Sequence, residues 1–180
     1  VGERIASDHV SILDNPHVVR GPSSRVYDGE GLATQPNQIV RNGMLESYLL
    51  DTYSAKKLGL NTTRSASRGL GSSPSASPSN FWMDPGKQSL EELISEIENG
   101  VLLTELMGFG VNTVTGDYSQ GASGVWIENG KLTRPVNEMT VASTLQQMWT
   151  GIDGVANDLD RTKSVSAPSF RINQMTVGGS

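Results

Sequence analysis

Residues 115–135, TGDYSQGASGVWIENGKLTRP, restrict the fold more than any other part of this 180-residue chain. Residues 125–128 and 131–134 read as the two arms of a hairpin, with Asn129-Gly130 as the turn between them. A type I′ turn needs positive φ at both central residues, and Asn-Gly meets that demand at the lowest steric cost. Ahead of the hairpin, Gly116, Gly121 and Gly124 punctuate a polar run in which Tyr118 is the large side chain. Glycines within a sheet mark bulges or the close approach of another backbone. A second pair, Asn42-Gly43, lies between 39–41 and 44–49 and predicts a second hairpin.

The remaining elements are short. Segments 4–6 and 10–13 read as strands, broken by Asp14-Asn15-Pro16. Asp51 is placed to cap a helix over 52–58, with Gly59 to end it. Ser89 and Glu92 form a capping-box pattern, and Leu90, Leu93, Ile94 and Ile97 follow helical spacing, so a helix is expected over 90–98. Asn99-Gly100 reads as its C-terminus, followed by a buried strand over 101–107. Another strand is expected at 140–142. Ser143 or Thr144 can cap a helix whose Leu145, Met148, Trp149 and Ile152 share a face, and Phe170, Ile172 and Val177 suggest a final strand. Segment 61–88 is rich in Ser, Pro and Gly, with SSPSASPS inside it, and its composition reads as an irregular linker. Regular βαβ alternation is absent. The fold class expected is α+β, mainly antiparallel β with a few short helices and short-stranded sheets, in a single domain over 1–180.

Composition excludes several function classes. The net charge of −5, with Lys and Arg scattered, gives no footprint for direct nucleic-acid contact. No apolar run approaches the ~20 residues that span a bilayer. There is no cysteine, hence no disulfide framework and no thiolate metal site. The start, VGERIASD, lacks both an initiator Met and a signal-peptide pattern, and is read as the start of a fragment of a longer, cytoplasmic protein.

Catalytic groups are scarce. The two histidines, His9 and His17, are eight residues apart in a Pro-interrupted region, unlike the His pair of a helical zinc motif. With Asp8, Asp14 or Asp28 they would make only an improvised metal site. Ser119 and Ser123 lie in a glycine-rich run, but GASG is not a nucleophile elbow, and a base would have to come from far away in the chain. Gly116, Gly121 and Gly124 are not followed by the Gly-Lys-Ser/Thr of a phosphate loop. Asp28, Glu30 and Asp117 read as turn formers, and Phe81, Trp82, Trp126 and Trp149 as core or interface anchors. No catalytic residue and no metal ligand is therefore assigned. A binding role is left. Main-chain pairing along 116–124 and apolar contact at Trp126 make Gly116, Asp117, Tyr118, Gly121, Gly124 and Trp126 the candidate peptide- or partner-binding residues. The competing reading is that the glycines are purely structural bulges.

Segment 115–135 carries a resemblance, together with VYDGEGLATQ (26–35), IVRNGMLESYLLDTYSAKKLGL (39–60), NDLD (157–160) and PSFRINQMTVGG (168–179). In order, over nearly the whole chain, these resemble the C-terminal region of the TldD/PmbA family. That family was once described as modulators of DNA gyrase and is now grouped with metalloproteases. The TldD branch carries an upstream HExxxH helix and a cysteine-containing loop near its C-terminus. Where that loop would fall, this chain has RTKSVS (161–166), without a typical zinc ligand. The chain is therefore more similar to the PmbA (TldE) branch. The resemblance implies no cofactor in this fragment and zinc in a TldD-like partner. It also implies pairing with a TldD-like subunit or self-association as a dimer, and unfolded peptide as substrate. Two other readings remain open: a metallopeptidase in its own right with ligands outside the fragment, or a protein-binding modulator of DNA gyrase.

Overall fold

The computed structural model describes residues 1–179. Its strands are β1 (Ile12–Asp14), β2 (Asn37–Arg41), β3 (Met44–Leu45), β4 (Ala66–Ser67), β5 (Ser75–Ala76), β6 (Phe81–Met83), β7 (Asn99–Met107), β8 (Asp117–Glu128), β9 (Lys131–Thr144), β10 (Ile152–Val155), β11 (Val165–Ser166), β12 (Phe170–Ile172) and β13 (Thr176–Gly178). The helices among the described residues are α1 (Thr52–Leu58), α2 (Leu90–Ser95) and α3 (Leu145–Thr150). Short helices among mainly antiparallel strands make this an α+β fold, as the sequence pattern predicts. The chain divides into two compact units.

The first unit comprises Val1–Arg4, Val10–Pro85 and Leu159–Pro168. Its sheet has the order β11-β6-β1-β2-β3, antiparallel except where β11 runs parallel to β6. Asn42 and Gly43 turn β2 into β3 with φ of 46° and 77°, the positive pair that a type I′ turn requires. The β1 pairing begins only at Ile12, and Arg4 forms an isolated bridge with Met44, so the two N-terminal strands expected over 4–6 and 10–13 shrink to one. The helix over 52–58 forms as its caps dictate. Asp51 accepts from Ser54 N at 2.6 Å, and Gly59, at φ 67°, returns its N–H to the last turn.

The Ser/Pro-rich segment is not a free linker. It contains β4, β5 and β6, and its polar side chains are tied down. Buried Asp14 accepts from both N and Oγ of Ser79, at 2.6 and 2.8 Å. Asn80 Nδ2 donates to Asn15 O at 2.8 Å, and its Oδ1 accepts from Ser23 N at 3.0 Å. Burial pushes the Asp14 carboxyl above its ordinary pKa, against the hydrogen bonds from Ser79. Serine density here serves internal hydrogen bonding, which composition alone does not distinguish from disorder.

The second unit comprises Ile5–His9, Gly86–Asp158 and the chain from Ser169 onward. It holds a four-stranded sheet, β13-β9-β8-β7, and the pair β10-β12. The capping box of α2 forms as read, with Glu92 N donating to Ser89 Oγ and Ser89 N to Glu92 Oε2. The helix stops at Ser95 rather than at 98. Its would-be last carbonyls are taken by the turn: Gly130 N donates to Ile97 O at 2.8 Å and Asn129 N to Glu98 O at 2.7 Å. Asn99 therefore opens β7 instead of closing a helix. Arg171 on β12 holds the region together, pairing with Asp153 at 2.7 Å and Glu96 at 2.8 Å. Those partners hold the guanidinium above its usual pKa, while Arg171 and Gln88 hold Glu96 below the usual carboxylate range. Thr144 caps α3 by accepting from Gln147 N, and Ile152 leaves the helix to begin β10. The expected final strand is two strands, β12 and β13.

Candidate functional site on the four-stranded sheet

The hairpin read from Asn129-Gly130 is the centre of this sheet. Its arms are far longer than four residues each, at 12 residues for β8 and 14 for β9. Asn129 and Gly130 have φ of 50° and 74°, and a Cβ on Gly130 would stand 2.6 Å from Ser95 O. The turn therefore needs glycine twice over, for its conformation and for its seat against α2.

The two interior glycines differ. At Gly124 a Cβ would run into the Leu102 carbonyl of β7. Both neighbouring strands carry an extra residue beside it. On β7, Thr104 is left over between the pairs Leu103↔Gly124 and Glu105↔Ser123. On β9, Asn137 and Glu138 stand between Val136↔Gly124 and Met139↔Ala122, and Glu138 takes φ 56°. The bulges thus lie on the partners, bent around a glycine that lets them close in. Gly121 is different: a Cβ there would meet Met107 Cβ at 3.6 Å, an ordinary contact.

The other candidates spread along β8. Gly116, at φ 80°, sits in the turn before the strand and donates to Asn112 O at 2.8 Å. Asp117 accepts from Thr115 Oγ1 at 2.6 Å. Tyr118 is buried with Ala122, Met139 and Val141, and its hydroxyl donates to Gln120 Oε1 at 2.8 Å. Burial pushes its phenol pKa up. Trp126 is half-buried, with the Arg134 guanidinium 5.9 Å from its ring centre. All six residues therefore belong to one strand and its entry turn. That strand is flanked by β7 and β9, so its own amides and carbonyls are engaged in the two ladders. The sheet offers main chain to an added strand at its edges, β7 and β13.

Residues 101–107 form a strand, but not a buried one. From Thr104 to Met107 every residue is exposed, because β7 lies at the sheet edge with β8 as its one strand partner among the described residues. The sequence reading also passed over the turn after β7, GFGVNTVT, in which Phe109 and Val114 are fully exposed. The available signal was large apolar residues set among glycines.

Among the described residues the candidate ligands are dispersed. The described residues contain no group of three His, Cys, Asp or Glu side chains placed to hold an ion. His9 is exposed, and His17 Nε2 lies 3.0 Å from Thr34 Oγ1. Asp14 is committed to Ser79, and Asp28 accepts from the amides of Glu30 and Leu32 at 2.9 Å. In the loop 161–166, Arg161 lies 4.4 Å over the Trp82 ring and Lys163 follows it, a cationic setting that does not fit zinc. Ser119 and Ser123 have no histidine bonded to them.

Residues 1–179 match the PmbA/TldA metallopeptidase C-terminal domain. The chain belongs to that family. It is 37% identical over 180 residues to the metalloprotease PmbA of Escherichia coli O157:H7, covering 99% of this chain and 38% of that protein. A TldD homolog from Haemophilus influenzae matches at 26%. The crystal structure of a candidate modulator of DNA gyrase from Bacteroides thetaiotaomicron superposes with a TM-score of 0.88 at 36% identity, over 99% of this chain and 38% of that one. TldE from Thermococcus kodakarensis has the same fold, with a TM-score of 0.89 at 24% identity over 99% and 42% of the two chains. The chain thus spans about two fifths of the length of these relatives.

Proposed function

We propose that this chain is the C-terminal domain of a PmbA (TldE)-like subunit that carries no metal and completes a TldD-type peptidase in the cytoplasm. In this reading the 180 residues work as one domain. The TldD-like chain supplies zinc, and unfolded peptide is the substrate. One observation carries the reading: the chain has no donor set among its described residues that could hold and activate a metal-bound water, and the loop at 161–166 presents Arg161 and Lys163 instead. The higher identity to proteins named PmbA than to those named TldD supports it. Peptide hydrolysis needs an activated water or nucleophile together with oxyanion stabilisation. A sheet can contribute only position, by holding a peptide or the partner chain in register. On this reading exposed Asp117 and half-buried Trp126 make the contacts, while buried Tyr118 and Gly116, Gly121 and Gly124 shape the strand that carries them.

The test combines the full-length protein with a TldD-like subunit. Complex formation, zinc content and cleavage of an unfolded peptide are measured. Cleavage is expected only when both are present, with zinc in the TldD-like chain. Efficient cleavage by this protein alone would overturn the reading in favour of a self-sufficient metallopeptidase with ligands elsewhere.

A further inference from the structure

The loop ahead of β11 brings two cations to one shallow depression in the first unit. Arg161 and Lys163 line it together with Val18, Pro22, Phe81 and Trp82. The loop is tied down on both sides. Asp160 accepts from Thr162 N and Oγ1 at 2.9 and 2.8 Å, and Ser166 Oγ donates to Lys163 O at 3.1 Å. Phe81 N donates to Ser164 O at 2.7 Å, and β11 then runs parallel to β6, which seats the loop beside Phe81 and Trp82. The Arg161 guanidinium lies 4.4 Å from the centre of the Trp82 ring, so a buried aromatic covers one of its faces. Its N–H edge is left open, and neither Arg161 nor Lys163 forms an ion pair among the described residues, where the pairs belong to Arg41 and Arg171. The other polar groups nearby are already engaged. Asp160 is held by Thr162, and Asp84 Oδ1 accepts from Trp82 Nε1 at 2.9 Å. Asn80 Nδ2 donates to Asn15 O and Ser24 Oγ at 2.8 and 3.0 Å.

We infer that this depression binds the C-terminal carboxylate of a peptide whose last residue is apolar. Its size is the first argument. It has room for a group no larger than a water molecule, so it takes the end of a ligand and not its middle. Its charge is the second. The open edge of a guanidinium held flat on an aromatic ring matches a carboxylate with two parallel hydrogen bonds, and the Lys163 ammonium adds a point charge beside it. The walls are the third. Val18, Pro22 and Phe81 stand next to the cations. In a terminal residue the carboxylate and the side chain leave the same carbon, so an anion site bordered by apolar surface suits that residue. The net charge of −5 disfavours long polyanions over the molecule as a whole. The inference rests on the reading of unfolded peptide as substrate and narrows it to peptides that present a free end.

The experiment is fluorescence anisotropy of a short labelled peptide ending in leucine, titrated with the full-length protein. Three forms are compared: the free acid, the C-terminal amide, and the amide with an internal glutamate. The free acid is expected to bind about tenfold or more tighter than either amide, as a charge-assisted bidentate contact would give. Arg161→Gln should bring the acid down to the level of the amide, and Arg161→Lys should restore only part of the loss. Lys163→Gln should weaken the acid by a smaller factor, about threefold. Affinity for the amide should not change in any of these variants, and Arg41→Gln, which alters a cation already paired with Glu46, should change nothing. Circular dichroism confirms folding. Should Arg161→Gln not fold, the acid–amide comparison on the parent and Lys163→Gln decide the matter. Equal binding of acid and amide would overturn the inference. So would an internal glutamate that substitutes fully for the free end, or inorganic phosphate that displaces the acid at equal concentration. The peptidase reading is judged separately by cleavage with a TldD-like subunit: acid-selective binding without cleavage refutes that reading alone, and cleavage without acid selectivity refutes this inference alone.

Discussion

The two Asn-Gly hairpins use the same turn and build very different structures. Asn42-Gly43 joins a five-residue strand to a two-residue one, at the edge of its sheet. Asn129-Gly130 joins strands of 12 and 14 residues at the heart of its sheet. The dipeptide specifies a reversal of the chain and nothing about how far the ladder runs. Ladder length is set by the residues beyond the turn. After Gly43 the chain leaves the sheet at Glu46, whereas β8 and β9 continue because β9 bulges past Gly124 and re-enters register at Met139. The turns also differ in support. Gly43 N donates to Val10 O, whereas the Asn129-Gly130 turn takes both free carbonyls beyond α2 and packs on Ser95.

The largest expected effect therefore lies at the long hairpin. Gly130→Val combines a β-branched residue at positive φ with a clash against Ser95 O, and should cost about 3 kcal/mol in urea unfolding. Gly43→Val carries the same backbone strain but frees only a two-residue ladder, and about 1–2 kcal/mol is expected. Equal losses at the two sites would break the comparison.

A finer version lies within β8. Gly124→Ala should cost about 2 kcal/mol or more, because the added carbon meets the Leu102 backbone. Gly121→Ala, with ordinary contact to Met107, should change stability by less than about 0.5 kcal/mol. Gly121→Ala is thus the cleaner probe of binding, since the added Cβ makes only ordinary contact and a loss of partner or peptide affinity there would not be secondhand damage to the fold.

The smallest effect concerns the helix after the short hairpin. Asp51→Ala should cost about 1 kcal/mol at neutral pH through loss of the N-cap. The Ser54 N–H holds the Asp51 carboxyl below its ordinary pKa. Its contribution is therefore complete above about pH 4 and fades as pH falls through the lowered folded value. The parent and Asp51→Ala should converge in stability in acid. A gap that stays constant down to the lowest pH at which both fold would contradict the assignment.

What the sequence made legible was local chemistry. Both Asn-Gly turns, the Asp51 and Ser89 caps and the Gly59 stop depend on residues within a few positions of one another, and each forms as read. What escaped was set by distant partners. The early end of α2 results from bonds made by Asn129 and Gly130, and the exposure of β7 from its place at the sheet edge. Order in the serine-rich segment comes from Asp14, 65 residues away from Ser79. For the candidate site, the glycines were visible, but only the paired strands distinguish Gly124, which cannot carry a side chain, from Gly121, which can. The exposed Phe109 and Val114 were readable as residues but not as surface, because exposure is a property of the packed sheet.

The central claim is that this chain contributes binding surface and no catalytic metal. Zinc content and peptide cleavage, measured together on the isolated chain after zinc loading and dialysis, test it most directly. The account predicts substoichiometric zinc and no cleavage of an unfolded peptide. One zinc retained per chain, with hydrolysis that chelation abolishes, would contradict it.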